Sequence, residues 1–228
     1  MPKRDHDIYA SAALRDLLAE EMAVLMPVLQ RCAGTRALLL TADPADSPPA
    51  LPLLGCWTRL EVAGGGIRGD LRADPCEPLP FVDEAFDLIL LRHALETLPC
   101  PPDLLDEAVR CLAPGGLLVV SGVHPLSAWW PWWRWRTRGT SGHLRAPWQL
   151  DGWLRRDEVR VERIQRVGKP WPGRTSGARG RPHPLGGGYL MLVRKQSSPR
   201  TPVRLRPRPL PARPHAGLVH GARRHSAT

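Results

Sequence analysis

Leu79-Pro80-Phe81-Val82-Asp83-Glu84-Ala85-Phe86-Asp87-Leu88-Ile89-Leu90-Leu91-Arg92-His93-Ala94-Leu95-Glu96 decides the fold of this 228-residue chain. Its first part is a polar turn; its centre, Phe86 to Leu91, is apolar apart from Asp87. An apolar run of that length suits a strand covered on both faces, as in a parallel sheet. Downstream, Leu104, Leu105, Ala108, Val109 and Leu112 recur at helical spacing within Asp103 to Leu112. Pro114-Gly115-Gly116 then turns the chain, and Leu117 to Val120 forms a second apolar strand. Strand, helix, turn and strand make a βαβ unit, whose crossover sets the two strands parallel.

Taken together, "LPFVDEAFDLILLRHALE" and "LLDEAVRCLAPGGLLVVSG" resemble the motifs LPF-x-D-x-x-FD-x-V and L-x-E-x-x-R-x-L-x-PGG-x-L of the class I S-adenosylmethionine-dependent methyltransferases, type 11. The two occur in the family's order with one helix between them, and the resemblance is firm over residues 70 to 122. It implies a Rossmann-like α/β fold: a seven-stranded sheet, mostly parallel with an antiparallel last strand, and helices on both faces. It also implies S-adenosylmethionine as cofactor and methyl transfer as activity.

Outward from this unit, composition sets bounds. The chain is long enough for one sizeable core, expected over residues 1–195. No segment approaches the ~20 consecutive apolar residues of a membrane span. The charged start, Met1 to Asp7, does not read as a secretory signal. Five scattered cysteines without a CxxC pair support neither a zinc site nor a disulfide framework, so reduced thiols and a cytoplasmic location are expected. The net charge of +10 is lopsided: the last acid is Glu162, and 15 Lys and Arg follow it. Residues 196–228, rich in Pro and Arg, read as a disordered basic tail open to an anionic partner, nucleic acid or a membrane surface.

Upstream, Leu14, Leu17, Leu18, Met22, Leu25, Met26 and Leu29 predict a helix within residues 8–32, interrupted at Pro27 and ended by Gly34. Arg36 to Ala42 is the first strand. In the resembled family a D-x-G-x-G loop follows it, whose glycines let backbone approach the methionine end of the cofactor. Here Asp43-Pro44-Ala45-Asp46-Ser47-Pro48-Pro49 stands instead, a degenerate loop without glycine and with three prolines that lack N–H donors. Trp57 to Ala63 is the second strand. It runs into Gly64-Gly65-Gly66, a hairpin or surface loop, with no ribose-holding acid at its end, Glu61 standing two residues early.

By the resemblance, the cofactor-binding candidates are Thr41, Asp43, Asp74, Leu91, Arg92 and His93. Asp74, before "LPF", takes the adenine-binding place, with Asp70 a weaker candidate and a plain turn aspartate the alternative. Arg92 and His93 end the central strand, where ligands of open α/β sheets bind. His93 either fixes the strand–helix turn or acts as a base.

Residues 123–150 form a Trp- and Arg-rich insertion, with five of the nine tryptophans between Trp129 and Trp135. It reads as a substrate lid, a helix packed into its own domain, a membrane-interface segment or a base-stacking surface. His124 and Trp129 are the candidate substrate contacts. Val159 to Ile164, alternating in period two, and Gly188 to Val193 make the final hairpin. Two functions follow: methyl transfer to an unidentified acceptor, a small apolar molecule being one candidate, or a non-catalytic scaffold binding an anionic partner through the tail.

Overall fold

The computed structural model describes residues 8–138, 142–154, 158–173 and 181–197. The charged N-terminus, Arg155, Arg156 and the basic tail from residue 198 onward lie outside them. The order is α1 (Ala12–Leu29), β1 (Gly34–Thr41), β2 (Leu54–Ala63), β3 (Gly66–Gly69), β4 (Phe86–Arg92), a 3-10 turn (Ala94–Glu96), α2 (Pro101–Cys111), β5 (Leu112–Val123), α3 (Trp129–Arg136), α4 (Pro147–Trp153), β6 (Val159–Val167) and β7 (Gly188–Lys195). Seven strands form one sheet in the order β3-β2-β1-β4-β5-β7-β6. The pairs β1–β2, β1–β4 and β4–β5 are parallel, while β2–β3, β5–β7 and β6–β7 are antiparallel.

Period-two alternation sorts the central strands between two cores. Leu38, Leu40, Ile89, Leu91, Leu118 and Val120 face α2 and α4. Ala37, Leu39, Leu88, Leu90, Leu117 and Val119 face Leu25 and Leu29 of α1. A third cluster joins Tyr9, Leu14, Leu17 and Leu18 to Ala42, Val123, Trp129 and Trp133, roofing the carboxyl ends of β1 and β5.

The family-like motif residues mostly hold the fold. Asp87 accepts the Thr35 and Arg36 amides at 2.7 and 3.3 Å, pinning the start of β1 to β4. Glu107 accepts the Leu79 amide at 2.8 Å, and Arg110 donates to the carbonyls of Leu79 and Phe81 and to Asp83. The two motifs are thus one clasp between α2 and the turn before β4. Arg110 hydrogen-bonding lowers the pKa of Glu107, which favours the charged clasp.

Several boundaries differ from the sequence reading. Gly34, expected to end the first helix, opens β1; α1 ends at Leu29 and keeps Pro27 in its last turn. The Gly64–Gly66 stretch is a hairpin turn, with Gly64 and Gly65 at φ +61° and +79°, so β3 runs antiparallel to β2. The last helix, Pro147–Trp153, falls within the Trp- and Arg-rich insertion and runs just past its expected end at residue 150.

The thiol expectation is corrected. Cys76 and Cys100 are joined in a disulfide, their Cα atoms 5.5 Å apart. The tie links the turn after Asp74 to the residue before α2, a proximity that only the folded chain creates. Cys32, Cys56 and Cys111 are free. Among the described residues no helix is long and apolar enough to cross a membrane.

Candidate functional site

The strand order reverses between β1 and β4, and ligands of open α/β sheets bind in the crevice that such a reversal leaves at the carboxyl ends. The structure brings Thr41, Asp43, Arg92 and His93 together there. All four are buried, His93 completely.

Arg92 fills the reversal point. Its Nη1 donates to both oxygens of Asp46 at 2.6 Å, and its Nη2 donates to the Leu18 carbonyl at 2.9 Å. One side chain therefore ties β4, the loop after β1 and α1 together. Arg59 fastens the same loop through the carbonyls of Asp46 and Pro44, at 2.9 and 2.6 Å.

His93 sits between two buried carboxylates. Nε2 lies 3.1 Å from Glu21 of α1 and Nδ1 lies 3.1 Å from Glu96. Both ring nitrogens face acceptors, so both carry protons and the ring is an imidazolium. Burial alone would lower its pKa, but the charges and hydrogen bonds of Glu21 and Glu96 outweigh burial and hold it at about 10. Glu96 also accepts the Tyr9 hydroxyl at 3.2 Å and the Val123 amide. Burial, then Glu96, pushes the Tyr9 phenol well above its ordinary value. His93 adopts φ +55°, which turns the chain sharply from β4 into the 3-10 turn.

Glycines make the room. A Cβ on Gly122 would stand 2.8 Å from Glu96 Oε1 and from the Tyr189 hydroxyl. One on Gly188 would stand 2.7 Å from Glu21 Oε1. Three buried polar atoms nearby have no partner: Arg92 Nε, Ser121 Oγ and the Tyr189 hydroxyl.

The other candidates lie apart. Asp74 is exposed and its Oδ1 takes the Cys76 amide at 2.9 Å, a turn role. Leu91 is buried in the core facing α2. His124 is buried, with Nδ1 accepting the Leu126 amide at 3.1 Å and its ring edge-on to Trp148 and Tyr189. Burial, then Arg166, lowers its pKa to about 4, so the ring is neutral. Trp129 is buried in the roof, its indole donating to the Lys169 carbonyl at 2.8 Å. Sequence reasoning missed Glu21, Asp46, Glu96 and Tyr9. Glu21 had a signal: it stands at the i+4 position between Leu17 and Leu25, on the apolar stripe of α1.

The loop decides whether this crevice can hold the cofactor that the resemblance implies. Asp43 N donates to Thr41 Oγ1, Ala45 N to Asp43 Oδ1, Asp46 N to the Asp43 carbonyl and Ser47 N to Asp46 Oδ1. Pro44 has no N–H, so every backbone donor from Asp43 to Ser47 is spent within the loop or on Thr41. Ala42 N still pairs with the Arg92 carbonyl, closing the gap between β1 and β4. Glu61 leans on Arg59 at 3.5 Å. As folded, this loop offers S-adenosylmethionine no free backbone N–H.

Comparison with known proteins places the framework. Residues 58–120 match the family described as Methyltransferase domain. An S-adenosylmethionine-dependent methyltransferase of Thermotoga maritima superposes with a TM-score of 0.53, 16% identity, and 83% of this chain and 98% of that one covered. The fold is that of the class I methyltransferases. Among sequence relatives, Escherichia coli YafS is 41% identical over 69 residues, 30% of this chain and 28% of YafS. Demethylmenaquinone methyltransferase of Clavibacter sepedonicus is 33% identical over 100 residues, 39% of this chain and 41% of that enzyme. The matches thus span well under half the length of these relatives. The methyltransferase-like segment runs from β2 to β5 and includes β4 on one side of the crevice, whereas α1, β1 and the loop after β1 belong to the part outside that match.

Proposed function

We propose that this chain transfers a methyl group from S-adenosylmethionine to an apolar acceptor, and that its crevice must open to do so. The observation that carries the reading is the placement of the methyltransferase-matching residues 58–120, which supply β4 on one side of the reversal point and most of β2 and β5 beside the β1–β4 pair. Bound there, the cofactor would supply an activated methyl group. The chain's own residues position and desolvate the acceptor, which suffices for an in-line displacement. Ser121 and Tyr189 supply the buried, unspent hydroxyls that could orient it. Tyr9, Trp129 and Trp133 make the roof apolar. Similarity to a demethylmenaquinone methyltransferase supports an apolar acceptor. Opening requires Asp46 to leave Arg92 and the carbonyls of Pro44 and Asp46 to leave Arg59.

The closed loop favours a second reading, a methyltransferase-fold scaffold without catalysis. Calorimetric titration with S-adenosylmethionine and S-adenosylhomocysteine separates them. Saturable binding, tightened by Asp46→Asn, supports methyl transfer. Absence of binding by folded wild-type and Asp46→Asn protein supports the scaffold.

A further inference from the structure

We propose that the outer face of α3 is a docking surface for an anionic lipid bilayer. Trp129 and Trp133, one turn apart, are buried at 1% and 3% exposure in the roof over the crevice, while Trp130 and Trp135 are exposed at 45% and 59%. Leu126, just before the helix, is exposed at 71%. Arg134 and Arg136 of the same helix are exposed as well. Burying the first pair of tryptophans fixes the second pair outward, so the packed fold itself presents them.

Isolated exposed apolar residues are ordinary; this segment differs in pattern and charge. Arg134 lies over the Trp130 ring at 5.6 Å, and Arg136 lies over Trp132 and Trp135 at 5.8 and 5.7 Å. Indole beside guanidinium is the pairing suited to a headgroup layer: the ring sits at the hydrocarbon boundary while the cation meets lipid phosphate. No acidic residue occurs between Glu107 and Asp151, so nothing along this segment opposes an anionic surface. Stacking of nucleic-acid bases is the competing use of such residues, but one face of each of the three rings already carries a guanidinium. The inference stands apart from the cofactor question, since α3 docks whether or not the crevice opens.

The test is co-sedimentation of the full-length chain with vesicles of phosphatidylcholine alone and of phosphatidylcholine with phosphatidylglycerol. Wild-type protein is expected to bind the anionic vesicles, to lose binding in high salt, and to ignore the neutral ones. Trp130→Ala with Trp135→Ala should weaken partitioning by about tenfold per tryptophan, at roughly 1.4 kcal/mol of lost apolar burial each. Arg134→Gln with Arg136→Gln should abolish the preference for anionic lipid. These side chains are exposed, and an unchanged melting temperature in each variant confirms intact folding. The basic tail remains in every variant. Wild-type binding by both variants would overturn the proposal and assign binding to the tail. Tighter, α3-dependent binding of a single-stranded oligonucleotide would overturn it in favour of base stacking. Lipid-free self-association lost with the same tryptophans would reassign the face to a second copy of the chain.

Discussion

The buried imidazolium makes stability fall as pH rises, and His93→Asn tests this. In the native protein His93 holds its proton up to about pH 10, against 6.5 for an ordinary histidine. Below about pH 6.5 both folded and unfolded chains bind the proton, and the contribution is fully present. Above it the unfolded chain releases the proton while the native chain keeps it. Native stability then declines with a slope approaching 1.4 kcal/mol per pH unit, until the folded pKa is passed. His93 is fully buried, so solvent does not screen the effect. Between pH 7 and 9 the loss is about 2 kcal/mol, or about 4 to 8 °C in melting temperature for a chain of this size. Asn tolerates the left-handed backbone at this position and cannot titrate, so the variant removes the charge without straining the turn. The assay is urea unfolding of both proteins across that range. The expected result is that wild-type stability falls more steeply than that of His93→Asn. Parallel pH profiles would refute a protonated His93 between Glu21 and Glu96.

Three further outcomes are expected. Asp46→Asn should destabilise the fold by about 2 to 3 kcal/mol, because Arg92 keeps its buried charge and loses its charged partner; an unchanged urea midpoint would deny the latch. Gly122→Ala should cost about 1 to 3 kcal/mol through overpacking against Glu96 and Tyr189, whereas Gly152→Ala, with nothing within 4 Å of its Cβ, should be neutral or slightly stabilising. Reducing the Cys76–Cys100 bond, which closes a loop of sequence separation 24, should lower stability by about 3 kcal/mol; equal unfolding curves with and without reductant would contradict that.

The framework was legible because its signals are local and periodic. Leu88 to Leu91 alternates between two buried faces, and the α2 apolar spacing matches the helix that covers one of them. The motif residues Glu107 and Arg110 were visible, but their clasp on Leu79 and Phe81 depends on how α2 packs back. The site was legible only at its sheet end. Thr41, Asp43, Arg92 and His93 follow from strand ends, while Glu21, Glu96 and Tyr9 reach the crevice from elements whose approach no spacing encodes. A missing glycine could be read from Asp43 to Pro49. That the loop would satisfy its own amides and be strapped to Arg92 could not. The Cys76–Cys100 contact was hidden for the same reason.

The most direct test of the account is the affinity of S-adenosylmethionine for wild-type protein and for Asp46→Asn, measured by calorimetry on samples shown to be folded. A crevice latched by Arg92 and Asp46 predicts saturable binding by the wild type and binding about ten- to a hundredfold tighter in the variant, since the latch taxes the open state by the strength of a charge-assisted hydrogen bond. No binding by either would contradict methyl transfer by this chain.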